Sequence, residues 1–176
     1  RKARDPLVSF GQGCEGEPLL QDELLAESIN LIRQKSPKGT INLNTNGSRP
    51  EVVARLMREG LSSIRVSVNS LIPERHQAYY QPRGWSLEDA IKSIEEVKRA
   101  GGHASINLLT LPGLTDRLEE AEALYALIGR TDLDLIQWRN MNIDPEVYLA
   151  ELGLDPPEER MGVEELIVEL KRRFPR

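Results

Sequence analysis

Short strand-like stretches alternate with longer helical stretches along almost the whole chain, and this alternation constrains the fold more than any other feature. The strands are predicted at residues 7–10, 40–44, 64–69, 104–109 and 133–138. Apolar residues at i, i+3 and i+4 predict helices at 19–34, 50–59, 87–100, 117–128 and 162–174. Because a βα repeat gives parallel strands with crossover helices, the chain is predicted to be an α/β protein. The repeat alone leaves two architectures open, a doubly wound sheet and a (βα) barrel.

The predicted strands alternate apolar and polar side chains, although buried parallel strands are usually continuously apolar. One sheet face is therefore apolar, and the other carries Ser9, Asn42, Asn44, Ser67, Asn69, Ser105, Asn107, Gln137 and Arg139. A polar face buried under helices would leave amides unpaired at about 1–3 kcal/mol each. A ligand-filled lumen removes that cost, and a half-solvated sheet face is the alternative. In either architecture the ligand binds at the carboxyl ends of the strands.

The composition excludes several functions. The chain has 176 residues, which suits one domain or most of one. Its net charge of −5 argues against a nucleic-acid partner and against a polybasic membrane anchor. No secretory signal is visible, and no apolar run approaches the roughly 20 residues of a transmembrane helix. Cys14 is the single cysteine, so this chain alone has no disulfide and no cysteine-only metal site, and a cytoplasmic location is expected.

A glycine-rich turn follows the first predicted strand and precedes a helix. Gly11, Gly13 and Gly16 form the spacing G-x-G-x-x-G, which in this context is typical of a dinucleotide site. The next strand, however, ends in Asn44-Thr45 rather than in the acid that would hold a ribose.

The acids of the same turn suggest a different ligand. Glu15 and Glu17 place carboxylates where a pyrophosphate would lie, and Pro18 lacks the N–H that a phosphate would need. Instead, Gly16 lets the backbone approach a ligand, and Glu17 offers a fixed carboxylate to an ammonium group. The structural alternative is that Glu17 only occupies the favourable first turn of a helix.

Five segments at the ends of the predicted strands together resemble the motifs of radical S-adenosylmethionine (SAM) enzymes. Gly16-Glu17-Pro18 is similar to their "GGEP" motif, and Asn44-Thr45-Asn46-Gly47 to their "TNG" motif. Ser67-Val68-Asn69-Ser70 resembles "S-x-D-S", and Pro112-Gly113-Leu114-Thr115-Asp116 resembles the "PGxTD" turn. Residues 137–145 are similar to a closing segment of a subgroup, and the resemblance covers residues 5–150.

The resemblance implies a partial (βα)6, TIM-like barrel that binds SAM. In the family, a 4Fe–4S cluster on a C-x3-C-x2-C loop donates an electron that cleaves SAM to a 5′-deoxyadenosyl radical, and the radical abstracts hydrogen from a substrate. The residues implied to bind SAM are Gly16, Glu17, Pro18, Asn44, Thr45, Ser67, Asn69, Arg83, Asn107, Gln137, Arg139 and Asn140.

Most of these positions carry an implied role. Gly16 and Glu17 would hold the methionyl amino group, and Arg83 would pair with the carboxylate. The carboxylate and the ribose of SAM would contact Thr45, Ser67 and Asn69, and the ribose would also contact Asn107. Residues 137–140 would line the adenine.

The departures from the family pattern define what this chain is expected to be. The cysteine loop is absent, because Cys14 follows the wrong strand; Glu15 replaces a usual Gly, and Asn69 a frequent Asp. We therefore expect this chain to be a fragment without the first strand and helix of the barrel, holding no metal and inactive by itself. Its full-length protein is expected to be a radical SAM iron–sulfur enzyme acting on an unknown substrate. A non-catalytic βα binding module and an NAD-dependent oxidoreductase are the alternatives.

The chain is predicted to divide at residue 150. Residues 1–150 form the partial barrel core, and residues 151–176 form a linker followed by an amphipathic C-terminal helix. Because an incomplete barrel exposes a sheet edge, self-association through that edge is left open.

Overall fold

A single parallel sheet organises the chain. The computed structural model describes residues 5–13, 16–154 and 160–175. The strands are β1 (Leu7–Phe10), β2 (Thr40–Thr45), β3 (Ser63–Val68), β4 (His103–Thr110) and β5 (Leu135–Asn140). They lie in the order β1-β2-β3-β4-β5, and every pair of neighbours is parallel. A doubly wound sheet reverses its order at a switch point. This sheet has no reversal and is not closed, so the fold is a partial βα barrel, as predicted.

The helices follow the strands in chain order. A 3-10 turn at Pro18–Gln21 precedes α1 (Asp22–Lys35), and the others are α2 (Pro50–Glu59), α3 (Pro73–Tyr80), α4 (Leu87–Arg99), α5 (Leu118–Thr131), α6 (Pro145–Glu151) and α7 (Val163–Arg173). Helix α1 contacts α2, α2 contacts α4, and α4 contacts α5. This outer layer covers the apolar face of the sheet, where Leu43, Ile64 and Ile106 are fully buried.

Local sequence signals begin and end several helices as predicted. Helix α4 begins with a capping box in which the Asp89 carboxylate accepts a hydrogen bond from the Ser86 backbone N–H at 2.9 Å. Helix α2 begins at Pro50 and ends at Gly60, whose φ of +112° is readily adopted only by glycine. Helix α5 runs three residues beyond its predicted end, because its terminus is formed by Asp132 at a φ of +54°.

Two helices were not predicted, and one strand begins later than predicted. Helix α3 is mostly polar and has no apolar periodicity, and α6 is only two turns long. The start of α6 is nevertheless marked by Asp144, whose carboxylate accepts hydrogen bonds from the N–H groups of Glu146 and Val147. Strand β5 begins two residues late, because the Asp134 carboxylate accepts from Ala104 N at 2.8 Å and from Lys98 Nζ at 2.6 Å.

Helix α7 packs onto the same core as the sheet. Leu166 is fully buried, and the Phe174 ring lies 6.3 Å from the ring of Tyr125 on α5. The predicted division at residue 150 stays a prediction. Cys14, Glu15 and residues 155–159 of the predicted linker lie outside the described residues. Among the helices that are described, none has the length and apolar character needed to cross a membrane.

Candidate functional site

The polar face predicted from strand alternation is present in the sheet. Ser67 on β3, Asn107 on β4 and Gln137 on β5 are paired in register, so their side chains lie on one face. The Oδ1 atom of Asn107 is fully buried and accepts no hydrogen bond from the described part of the chain. A buried acceptor without a donor costs free energy, so this row suits a ligand that brings a hydroxyl or amine.

On the β1 side, the polar side chains instead pair with one another. Asn42 Nδ2 donates to Ser9 Oγ at 3.0 Å and to Asn44 Oδ1 at 3.2 Å, while Ser63 Oγ donates to Asn42 Oδ1 at 2.9 Å. Asn44 Nδ2 in turn donates to the backbone oxygens of Phe10 and Gly11. Asn44 therefore holds the end of β1 against β2.

Glu17 lies at the carboxyl end of the sheet with most of its acceptor capacity in use. Its Oε1 accepts from Leu19 N at 3.0 Å and from Thr45 Oγ1 at 2.6 Å, and its Oε2 accepts from Asn46 N at 2.8 Å. A carboxylate has about four acceptor sites, which leaves one on Oε2. Thr45 is buried, and its Oγ1 also accepts from Gly47 N at 3.0 Å. Its hydroxyl therefore positions the Glu17 carboxylate.

The glycines of the turn allow the close approach that positions Glu17. Gly11 has a φ of +70°, and a Cβ there would lie 2.3 Å from the Asn44 backbone oxygen. Gly16 has a φ of +87° and open space around it. Gly11 is therefore required by contact with β2. Together with the unreversed strand order, this role weakens the dinucleotide interpretation, whose crevice lies at a switch point.

Glu17 and Arg83 line one cavity of about 550 Å³, next to Asn46, Ser48 and Trp85. Arg83 makes no ion pair with any described residue. Arg49 also lines the cavity, but it lies 3.7 Å from Asp22 and 3.5 Å from Glu51. Opposite charges at separate points of one cavity suit the ammonium and carboxylate of an amino acid.

Asn69 is buried just beyond β3. Its Nδ2 donates to Tyr148 Oη at 3.0 Å and to the Arg75 backbone oxygen at 3.2 Å, while Oδ1 has no partner within the described residues. Tyr148 lies on α6, so its role was missed with that helix. Arg75 is fixed by a 2.7 Å ion pair with buried Glu120, and this pair anchors the segment after β3.

His76 packs among aromatic rings rather than facing a ligand. It lies on α3, with its ring 4.7 Å from that of Tyr80 and 5.4 Å from that of Trp85. Burial lowers its pKa to about 4, so the imidazole is neutral at neutral pH. The chain's other histidine, His103, is exposed at the start of β4.

The remaining predicted residues fall elsewhere on the sheet. Arg139 and Asn140 line a different cavity of about 500 Å³, together with Leu109, Trp138 and Asn142. The structure therefore distributes the predicted residues among the Glu17 cavity, the Ser67–Asn107–Gln137 row and the end of β5. Arg65, which shares the polar face through its register with Asn44 and Ser105, was not predicted. The alternation over 64–69 contained the signal for it.

The residues of this chain fit SAM but not the iron–sulfur cluster. Glu17, Arg83 and the unpartnered oxygens of Asn69 and Asn107 match the charged and hydroxyl groups of SAM. A 4Fe–4S cluster requires several cysteine thiolates, and the chain has one cysteine. No group of three or more metal-ligating side chains occurs in residues 5–13, 16–154 and 160–175.

Comparison with known proteins identifies the family. The sequence profile of the Radical SAM superfamily matches residues 6–128, so the chain belongs to the radical SAM superfamily. It is 30% identical over 164 residues to a dual-specificity RNA methyltransferase RlmN of Oleidesulfovibrio alaskensis, covering 88% of this chain and 43% of the relative. It is also 30% identical over 138 residues to a probable GTP 3′,8-cyclase of Methanosarcina acetivorans, covering 75% of this chain and 39% of that relative. The chain spans less than half the length of both.

Solved structures agree on the fold. A domain of a pyruvate-formate lyase-activating enzyme from Bacteroides vulgatus matches with a TM-score of 0.60 at 20% identity, covering 84% of this chain and 95% of that one. Streptococcus suis SuiB bound to S-adenosylmethionine matches with a TM-score of 0.58 at 17% identity, covering 95% of this chain and 35% of that one. The predicted family and partial barrel are confirmed, while the assignment of individual SAM-binding residues stays a prediction.

Proposed function

We propose that this chain is the SAM-binding core of a radical SAM enzyme. The observation that carries the proposal is the single cavity at the carboxyl ends of the strands that is lined by both Glu17 and Arg83. The remaining acceptor site on Glu17 Oε2 receives the methionyl ammonium, and the Arg83 guanidinium pairs with the carboxylate. Thr45 acts by fixing the Glu17 carboxylate.

The nucleoside part of SAM lies along the polar row of the sheet. Asn107 Oδ1 and Asn69 Oδ1 are buried acceptors, and the ribose hydroxyls are donors of the matching kind. Ser67 and Gln137 flank Asn107 in register and contact the same nucleoside. Arg139 and Asn140, the last two residues of β5, lie toward the adenine.

The chemistry of the whole protein depends on groups that this chain does not supply. When bound beside a 4Fe–4S cluster, SAM supplies radical chemistry, and the single cysteine here means that the cluster ligands belong to another part of the protein. The chain's own residues bind and orient SAM, and we expect the 176-residue chain alone to be inactive.

The proposed substrate is a small molecule in the cytoplasm. A net charge of −5 disfavours a nucleic-acid surface, and one cysteine is typical of a reducing compartment. The name of the RlmN relative describes an enzyme acting on RNA, which makes RNA the alternative substrate. Tight, salt-sensitive binding of RNA to the full-length protein in a gel-shift assay would overturn the small-molecule proposal.

The catalytic proposal is tested on the full-length protein, reconstituted anaerobically with iron and sulfide. We expect 5′-deoxyadenosine to form from SAM in the presence of dithionite. Its yield should fall roughly tenfold or more in Glu17→Ala and less in Asn142→Ala. SAM binding without cleavage would leave the non-catalytic binding module as the better account. Absence of both binding and cleavage would overturn the proposal.

A further inference from the structure

Arg65 places a positive charge in the middle of the polar sheet face. It lies on β3 between Asn44 of β2 and Ser105 of β4, its partners in register. Its Nε atom is fully buried and has no hydrogen-bond partner in the described residues. The guanidinium also makes no ion pair with any of them.

The other arginines of comparable burial are all partnered. Arg75 is paired with Glu119 and Glu120, each at 2.7 Å, and Arg33 Nε donates to the Gly60 oxygen at 2.8 Å. Arg117 Nε donates to the Gly113 oxygen at 2.9 Å. A partly buried guanidinium without a partner costs free energy, so a counter-ion is expected at Arg65.

Arg65 faces a cavity of about 530 Å³ in which none of the described lining residues is acidic. The described residues that line it include Leu7, Ser9, Thr40, Ser63 and His103. Several of these are the first residues of their strands, so the cavity lies toward the amino ends of the sheet. It shares no lining residue with the Glu17 cavity at the carboxyl ends.

Ser9 supplies a second donor in this cavity. Its Oγ accepts from Asn42 Nδ2 at 3.0 Å and also from Gln12 Nε2. Because both interactions use its lone pairs, the hydroxyl proton of Ser9 can be donated to a ligand. A forked guanidinium and a hydroxyl donor in one cavity, with no acid among its described lining residues, suit a carboxylate or a phosphate.

We propose that Arg65 and Ser9 bind an oxyanion group of a small molecule at the amino-terminal half of the polar face. The group is a carboxylate or phosphate, either of a separate ligand or of an extended substrate that enters the barrel. This site is distinct from the proposed SAM site and does not depend on it.

The test is isothermal titration of the full-length protein with inorganic phosphate, and separately with acetate, at constant ionic strength set by chloride. We expect binding of at least one of the two anions, weakened roughly tenfold or more in Arg65→Gln and less in Ser9→Ala. Arg58→Gln, at an exposed arginine of α2, is the matched control and should bind as wild type does. The preference between phosphate and acetate identifies the oxyanion.

Two outcomes overturn the proposal. In the first, neither anion binds the wild-type protein, as expected if a protein carboxylate already occupies the cavity. In the second, Arg65→Gln binds the anion as tightly as wild type does. If Arg65→Gln fails to fold, Arg65→Lys, which keeps the charge but loses the fork, must still weaken binding. SAM binding measured on the same variants should be unchanged, so a failure of the SAM site and a failure of the oxyanion site are separately visible.

Discussion

The hydroxyl of Thr45 donates a 2.6 Å hydrogen bond to Oε1 of Glu17 and thereby joins the end of β2 to the turn after β1. The same Thr45 oxygen accepts from the N–H of Gly47, so one buried hydroxyl fixes both the carboxylate and the following turn. The direction of the Glu17 carboxylate therefore depends on a neighbouring strand rather than on its own segment.

Replacing Thr45 by Val should destabilise the protein and weaken SAM binding. The change keeps the shape but leaves the Gly47 N–H without its partner and removes one of the two hydrogen bonds to Glu17 Oε1, at a cost of about 1–3 kcal/mol. Urea unfolding measures the loss, and calorimetry measures SAM affinity. Thr45→Ser, which keeps the hydroxyl, is the control and should recover most of both; equal effects of Val and Ser would show that the hydrogen bond is unimportant.

Replacing Glu17 by Ala should weaken SAM binding roughly tenfold or more, because a charge-assisted hydrogen bond to the ammonium is lost. Asn142→Ala removes a neutral, exposed side chain from the cavity at the end of β5, where the adenine is proposed to lie, and should have a smaller effect. Equilibrium titration with SAM compares the two. If both variants bind SAM equally well, the assignment of Glu17 to the amino group is wrong.

Replacing Gly11 by Ala should be far more damaging than the same change at Gly101. Both glycines have positive φ values, +70° and +75°, so each change carries a backbone cost of about 1–2 kcal/mol. At Gly11 the new Cβ would also meet the Asn44 oxygen at 2.3 Å, whereas nothing lies within 4 Å at Gly101. Overpacking adds about 1–3 kcal/mol at Gly11. Thermal or urea unfolding of the two variants checks the difference.

Stability should fall in mild acid partly because of His76. Burial lowers its pKa to about 4 from the ordinary 6.5, so the unfolded chain takes up a proton first. The contribution of neutral His76 to stability is complete above pH 6.5 and is lost as the pH falls toward 4. The loss amounts to about 2 kcal/mol by pH 5.

His76→Phe should remove that part of the pH dependence. Phenylalanine keeps the contacts with Tyr80 and Trp85 and does not titrate, so the variant should lose less stability than wild type between pH 7 and pH 5. Urea unfolding at both pH values gives the comparison. His103→Gln changes the exposed histidine and should leave the wild-type profile intact; a flattened profile in that variant would assign the effect to the wrong histidine.

Local patterns in the sequence were sufficient for most of the fold. The βα alternation gave all five strands, and the capping box of Ser86 and Asp89 gave the start of α4. Alternation within strands gave the polar face that carries Ser67, Asn107 and Gln137. The choice of a barrel over a doubly wound sheet came from the family resemblance, because strand order depends on long-range packing and has no local signal.

The site was less predictable because its contacts join distant segments. Tyr148 reaches Asn69 from 79 residues away, on a helix too short to show periodicity. The unpartnered state of Arg65 can be seen only when the neighbouring strands are in place. Glu17 and Arg83 were both predicted, but their meeting in one cavity is a property of the folded chain.

The most direct test compares SAM with 5′-methylthioadenosine, which lacks the amino-acid part, by calorimetry on the full-length, anaerobically reconstituted protein. We predict that SAM binds roughly tenfold or more tightly than 5′-methylthioadenosine, and that Arg83→Met combined with Glu17→Gln abolishes this preference while leaving the affinity for 5′-methylthioadenosine unchanged. Equal affinity of the wild-type protein for the two ligands, or a preference that survives the double substitution, would contradict the account.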